Sequence, residues 1–95
     1  MTYELDFDFR ALKEWKKLDP TIREHFRKKL AKRMTAPRVP HDALSGMPDH
    51  YKIKLRSSGY RLVYKVEDEV LVILVVAIGK REGGEVYDTA WQRSH

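Results

Sequence analysis

An α+β domain is predicted over residues 1–95: an N-terminal strand, a two-helix hairpin, a three-stranded antiparallel meander and a short C-terminal helix. Three features of the sequence carry this expectation. The hydrophobic period lengthens from two to between three and four after Asp8. Pro and Gly fall between the periodic segments. The second half is dominated by runs of Val, Ile, Leu and Tyr.

Tyr3, Leu5 and Phe7 alternate with Glu4, Asp6 and Asp8, the pattern of a short strand. Phe9, Leu12, Trp15 and Leu18 then recur every three residues, with Ala11 on the same side, and Asp8 is placed to cap this helix. Asp19 is a second N-cap, and Pro20 suits the first helical position, where its missing N–H would be unpaired anyway. Ile22, Phe26, Leu30 and Met34 follow at spacing four, so the second helix is expected to run to about Met34 before Pro37 and Pro40 open a loop. The stretch YKIKLRSSGYRLVYKV, Tyr51 to Val66, holds two strands around Ser57, Ser58 and Gly59. Val70 to Ile78 is apolar throughout. Its length, its β-branched content and the Gly79 stop favour a strand, and its unbroken apolarity places that strand centrally with both faces covered. Gly83 and Gly84 lead into a short helix carrying Tyr87 and Trp91. Its few apolar residues predict loose attachment, and the two glycines predict looser placement of Tyr87.

Composition narrows the function. A chain of 95 residues supports one modest core. Lys and Arg number 19 against 14 Asp and Glu, a net charge of +5 that favours an anionic partner, nucleic acid or an acidic protein. Without Cys there are no disulfides or thiolate metal sites, and a reducing cytoplasm is the simplest location. No secretory leader is visible. The longest apolar run is far short of the ~20 residues a spanning helix needs, so no membrane partner is expected.

Register sharpens the charge pattern. Both apolar sets, Tyr51, Ile53 and Leu55 on one strand and Tyr60, Leu62, Tyr64 and Val66 on the next, must face the core. Leu55 therefore pairs with Tyr60, Ile53 with Leu62 and Tyr51 with Tyr64. Lys54 then lies opposite Arg61, and Lys52 opposite Val63. Like charges directly across a ladder destabilise it by up to ~1 kcal/mol, so Lys52, Lys54 and Arg61 form a patch that a polyanion would balance. Each lysine alone would more often be a solvated or edge-protecting residue. The cationic neighbour and the apolar strand beside it favour a groove for a phosphate chain. A second basic run, Arg23, Arg27, Lys28, Lys29, Lys32 and Arg33, lies on the long helix with only Glu24 opposing it. A solvated face and a phosphate-docking face are equally good readings of it.

No metal-ligand spacing, carboxylate cluster or glycine-rich phosphate loop is present, so no cofactor is expected. His25, His41, His50 and His95 are scattered; His50, just before the cationic strand, is the notable one. A cation-rich set without a metal suits RNA transesterification, in which the 2′-hydroxyl attacks the adjacent phosphate and fixed cations stabilise the added charge. Tyrosine has a free pKa of about 10, but nearby cations favour the phenolate, and Tyr87 is the candidate base. Packing beside Trp91 is the structural alternative for it.

The segments LDFD, ALKEWKKL, REHFRKKL, LSGMPDHYKIKLRSSGYRLVYKV and GKREGGEVY together resemble the RelE toxins of bacterial toxin–antitoxin pairs, along nearly the whole chain. That resemblance implies helices on a small sheet and a ribosome-dependent endoribonuclease. Such an enzyme cleaves mRNA in the ribosomal A site without a metal, leaving a 2′,3′-cyclic phosphate and a 5′-hydroxyl. It implies Tyr87 as general base, Lys52 and Lys54 as its aids and phosphate holders, Arg61 as transition-state stabiliser and Arg81 as electrostatic aid to the leaving 5′-oxygen. Arg23, Arg27, Lys28, Lys29, Lys32, Arg33, Arg56 and Lys80 are then expected to contact RNA or ribosome. The implied partners are the ribosome with its rRNA, mRNA, and an acidic RelB-like antitoxin that wraps the domain and displaces its last helix. Two alternatives remain: a ParE-like toxin directed at gyrase, and a non-catalytic basic nucleic-acid-binding module.

Overall fold

The computed structural model describes residues 2–94; His95 lies outside the described residues. The chain forms β1 (Glu4–Phe7), α1 (Phe9–Lys16), α2 (Pro20–Thr35), β2 (His50–Leu55), β3 (Tyr60–Glu67), β4 (Val72–Lys80) and α3 (Glu85–Ser94). Short 3-10 turns at Pro40–Asp42 and Glu82–Gly84, which the sequence reading lacked, complete it. One sheet has the order β1-β4-β3-β2. The β2–β3–β4 meander is antiparallel, and β1 lies parallel to β4. A parallel pair needs a long crossover, supplied here by everything from α1 to β3.

Both predicted caps form: the Asp8 carboxylate accepts from Arg10 N–H and that of Asp19 from Thr21 N–H. Asp8 also accepts from the Arg10 guanidinium, which holds its carboxyl down at about 2. Because the folded value is depressed, this contribution is present above the unfolded value near 4 and is lost as pH falls towards 2. Asp8→Ala is therefore expected to cost about 1 kcal/mol at pH 7. In urea titrations the gap from wild type should narrow between pH 4 and 2; a gap independent of pH would discount the cap.

The core-facing stripe is Ala11 and Trp15 of α1 and Leu18 just beyond its end, spaced i, i+4, i+7, with Ala11 and Leu18 buried and Trp15 half-buried. Phe9 does not join it and is 67% exposed, because steps of three drift backwards around a 3.6-residue helix. Phe26 and Leu30 of α2 are fully buried, with Ile22 and Met34 packed at the margin. Burying each large side chain stabilises the fold by roughly 1.5–3 kcal/mol. Arg33, in the same helix, points inward. It donates to the Tyr64 hydroxyl (2.9 Å), pairs with Asp42 (2.5 Å) and reaches the Lys52 carbonyl (3.3 Å). Tyr64 donates in turn to the Pro37 carbonyl, and burial pushes its phenol above the usual tyrosine range.

The central strand starts later than the apolar run. Val70 is exposed and Leu71 adopts φ 55 in the β3–β4 turn, so β4 begins at Val72. A bulge then shifts the ladder: Val63 pairs with Ala77 but Tyr64 with Val75, leaving Val76 as the extra residue. Val75 and Ile78 consequently face a first core under α1 and α2, while Val76 and Ala77 face a second core with Val63, Met47, Val86 and Ala90. That second core is the underside of α3, so β4 is covered on both faces.

The attachment of α3 is firmer than its composition implies. Trp91 stays 47% exposed, but Val86 and Ala90 are buried. Arg93 donates to Glu14 of α1 (2.8 Å) and to the Val76 carbonyl (2.8 Å), and Glu14 accepts from Ile78 N–H. β1 pairs with β4 only as far as Val75, and these two side chains take over the strand edge beyond it. At the other flank Ser94 Oγ bonds His50 Nε2 (2.8 Å), while His50 Nδ1 donates to the Pro48 carbonyl. His50 is thus a buried anchor for α3. Gly83 and Gly84 sit at φ 64 and 70, so the turn that aims α3 back over the sheet uses the left-handed region glycine reaches without strain.

Candidate active site

The β2–β3 register is the one the sequence predicts: Lys54 opposite Arg61 and Lys52 opposite Val63. Alternation turns His50, Lys52 and Lys54 to the face that carries α3, and Arg61 and Val63 with them. At the end of the sheet where β2 meets the Gly59 turn, Lys54, Arg56, Arg61, Arg81 and Tyr87 line one open groove of about 430 Å³. Arg61 forms its floor, only 7% exposed, with its guanidinium donating to the Tyr60 carbonyl. Arg81 is held by its backbone, whose N–H bonds Gly59 C=O (2.8 Å) and so extends the β3–β4 end towards the turn. Tyr87 enters from the first turn of α3, whose neighbouring Val86 packs on Gly79. A Cβ at Gly79 would lie 3.5 Å from that of Val86.

The charge of this groove is not balanced from within. Among the described residues, Arg10, Arg27, Arg33, Arg38 and Arg93 each have a carboxylate partner. Lys52, Lys54, Arg56, Arg61 and Arg81 have no ion pair with any of the described residues. Among the described residues no group of His, Asp or Glu is placed to hold a metal ion. The groove therefore offers fixed positive charge, donors and one phenol, a set that can hold a phosphate, stabilise charge added to it and exchange one proton.

A second trough of about 580 Å³ joins the first through Lys54 and Arg56, which line both. Its remaining walls include Lys28, Lys29 and Lys32 of α2 and Ser57 of the turn. His25 also lines it, a residue not expected at a site but legible as one, since 25, 28, 29 and 32 share one helical face. The rest of the basic run separates from this surface. Arg33 is committed to Tyr64 and Asp42, and Arg27 pairs with Glu24. Arg23 lines neither cavity. Lys80 ends β4 immediately before Arg81 and opposite Tyr60, with its ammonium over the Tyr60 ring (5.7 Å). Lys52 is on the groove face but one step down β2, beyond the lining residues.

The sequence profile of the family described as "ParE toxin of type II toxin-antitoxin system, parDE" matches residues 5–83. The mRNA interferase toxin RelE of Escherichia coli K12 is 59% identical over 98% of both chains. The free-state structure of an arginine-substituted E. coli RelE mutant superposes with TM-score 0.91 at 58% identity, over 98% of each chain. The toxin of the intact E. coli RelBE toxin–antitoxin complex matches with TM-score 0.82 at 60% identity, covering 84% of this chain and 98% of that one. With this sequence similarity and this fold, the chain belongs to the RelE toxins of the type II toxin–antitoxin systems.

Proposed function

We propose that residues 1–95 act as one toxin domain, an endoribonuclease that cuts mRNA in the ribosomal A site and so halts translation in the cytoplasm. The observation that carries this reading is the cationic groove closing on Tyr87, whose cations have no carboxylate partner among the described residues. The names of the relatives, mRNA interferases, support the same chemistry. Tyr87 takes the proton from the 2′-hydroxyl, and the 2′-oxygen attacks the adjacent phosphorus. Lys52 and Lys54 hold the phosphate, and Arg61 stabilises the pentacoordinate charge from beneath. The P–O5′ bond breaks to leave a 2′,3′-cyclic phosphate. Arg81 stabilises the departing 5′-oxygen, which takes a proton from solvent; an arginine stays charged throughout and does not supply it. No step calls for a metal. The neighbours with an antitoxin bound support an acidic RelB-like partner that keeps the toxin silent. Purified protein added to ribosomes with an open, programmed A site should yield a cut mRNA with a cyclic phosphate end, and should leave naked mRNA intact. Intact mRNA on such ribosomes would defeat the reading and favour a gyrase-directed toxin or a simple binding module.

The trough on α2 is assigned to the ribosome. Reversing Lys28, Lys29 and Lys32 to Glu should weaken ribosome binding and lower the log–log salt slope by roughly 2–3, since each lost phosphate contact removes about 0.7–0.9. Unchanged affinity and slope would return that face to plain solvated surface.

A further inference from the structure

Tyr87, Trp91 and Ser94 stand at i, i+4 and i+7 of α3, one stripe along one side of the helix. Contacts at both ends of this stripe direct it at β2. Tyr87 shares the groove with Lys54 and Arg61, and Ser94 bonds His50. On β2, Lys52 lies midway between Lys54 and His50 on the same face. One helical turn from Tyr87 to Trp91 and two strand residues from Lys54 to Lys52 are both advances of about 6–7 Å. Trp91 is therefore carried to the level of Lys52. It stays 47% exposed there, while its neighbours Val86 and Ala90 face the sheet.

We propose that Trp91 and Lys52 form a second nucleotide subsite, one step along the groove from Tyr87. The indole stacks on the base next to the scissile linkage and Lys52 meets the phosphate of that nucleotide. This rests on the nuclease reading and adds to it a specific binding residue. The occupant is a single-stranded RNA base, because Tyr87 and Lys54, one step away on the same two elements, line the cationic groove and because a flat π-face with a cation is the form that holds an unpaired base. Such a subsite extends the phosphate-holding role of Lys52 to the neighbouring nucleotide. The indole touches no reacting atom in this arrangement, so it acts on binding rather than on the chemical step.

The test is single-turnover cleavage on programmed ribosomes. Trp91→Ala should raise the half-saturating ribosome–mRNA concentration about ten-fold, with the saturating rate within two-fold of wild type, and Trp91→Phe should restore binding. An mRNA with an abasic site at one neighbour of the cut should weaken the wild type to a similar degree and leave Trp91→Ala no weaker than before, since both changes remove the same contact. Half-saturation of Trp91→Ala within two-fold of wild type would overturn the subsite, as would additive effects of the abasic site and the substitution. Failure of the wild-type chain to cut at all would remove the nuclease reading, and this inference with it.

Discussion

Arg81→Ala and, separately, Tyr87→Phe are expected to lower the single-turnover rate of mRNA cleavage by on the order of 10²–10⁴-fold. Tyr87→Phe removes the one proton-accepting oxygen of the groove while keeping the ring that packs there. Arg81 is exposed and held by its backbone, so truncating its side chain leaves the Gly59 bond in place. Both variants should therefore keep wild-type circular dichroism and melting temperature. Cleavage at the wild-type rate in either, with the fold unchanged, would strike that residue from the mechanism. Arg61→Ala is a poorer test, because a guanidinium only 7% exposed also contributes to packing.

The largest effect on stability is expected from Arg33→Ala. The Arg33 and Asp42 side chains are only 16% and 11% exposed. Removing the cation leaves a buried carboxylate without its partner and takes one hydrogen bond from Tyr64. Such a loss costs about 3–5 kcal/mol, on the order of 15 °C or more in melting temperature for a domain of this size. Arg33→Ala with Asp42→Ala should be less destabilised than the sum of the single changes, which a double-mutant cycle would read as coupling. At a temperature where Arg33→Ala is still folded, its salt slope for ribosome binding should match wild type, unlike the Lys28, Lys29 and Lys32 reversal. A reduced slope with normal stability would place Arg33 on the docking surface instead.

The sheet and its register were legible because a period-two pattern leaves one arrangement in which Tyr51, Ile53, Leu55, Tyr60, Leu62 and Tyr64 share a face. The caps at Asp8 and Asp19 were legible because capping is local. The bulge at Val76 was not: in a run where every residue is apolar, a change of face leaves no trace in polarity. The firm hold on α3 was missed for a related reason. It rests on Arg93, Glu14 and His50, far apart in sequence and polar, and hydrophobic counting does not register them. Helix spacing alone also could not tell that Arg33 turns inward while Lys32 turns out, since that depends on where Asp42 and Tyr64 arrive from other elements. The five residues proposed for catalysis were all named from the sequence. The structure brings Lys54, Arg61, Arg81 and Tyr87 into one groove and sets Lys52 beside it.

The tie of Arg93 to Glu14 and to the Val76 carbonyl bears on how quickly a silenced toxin becomes active again. A partner that lifts α3 takes Arg93 away and leaves an acceptor on β4 and a carboxylate on α1 waiting for it. Neither the sheet nor the paired helices need change, so the empty seat keeps its shape. When the partner leaves, one short helix swings back on its glycine turn and lands on groups already in position, carrying Tyr87 home with it. Movements of that size take microseconds to milliseconds, faster than the seconds many small β-containing domains need to fold. For a toxin silenced in that way, the delay before it acts would be set by the lifetime of its inhibitor, with reactivation itself adding little.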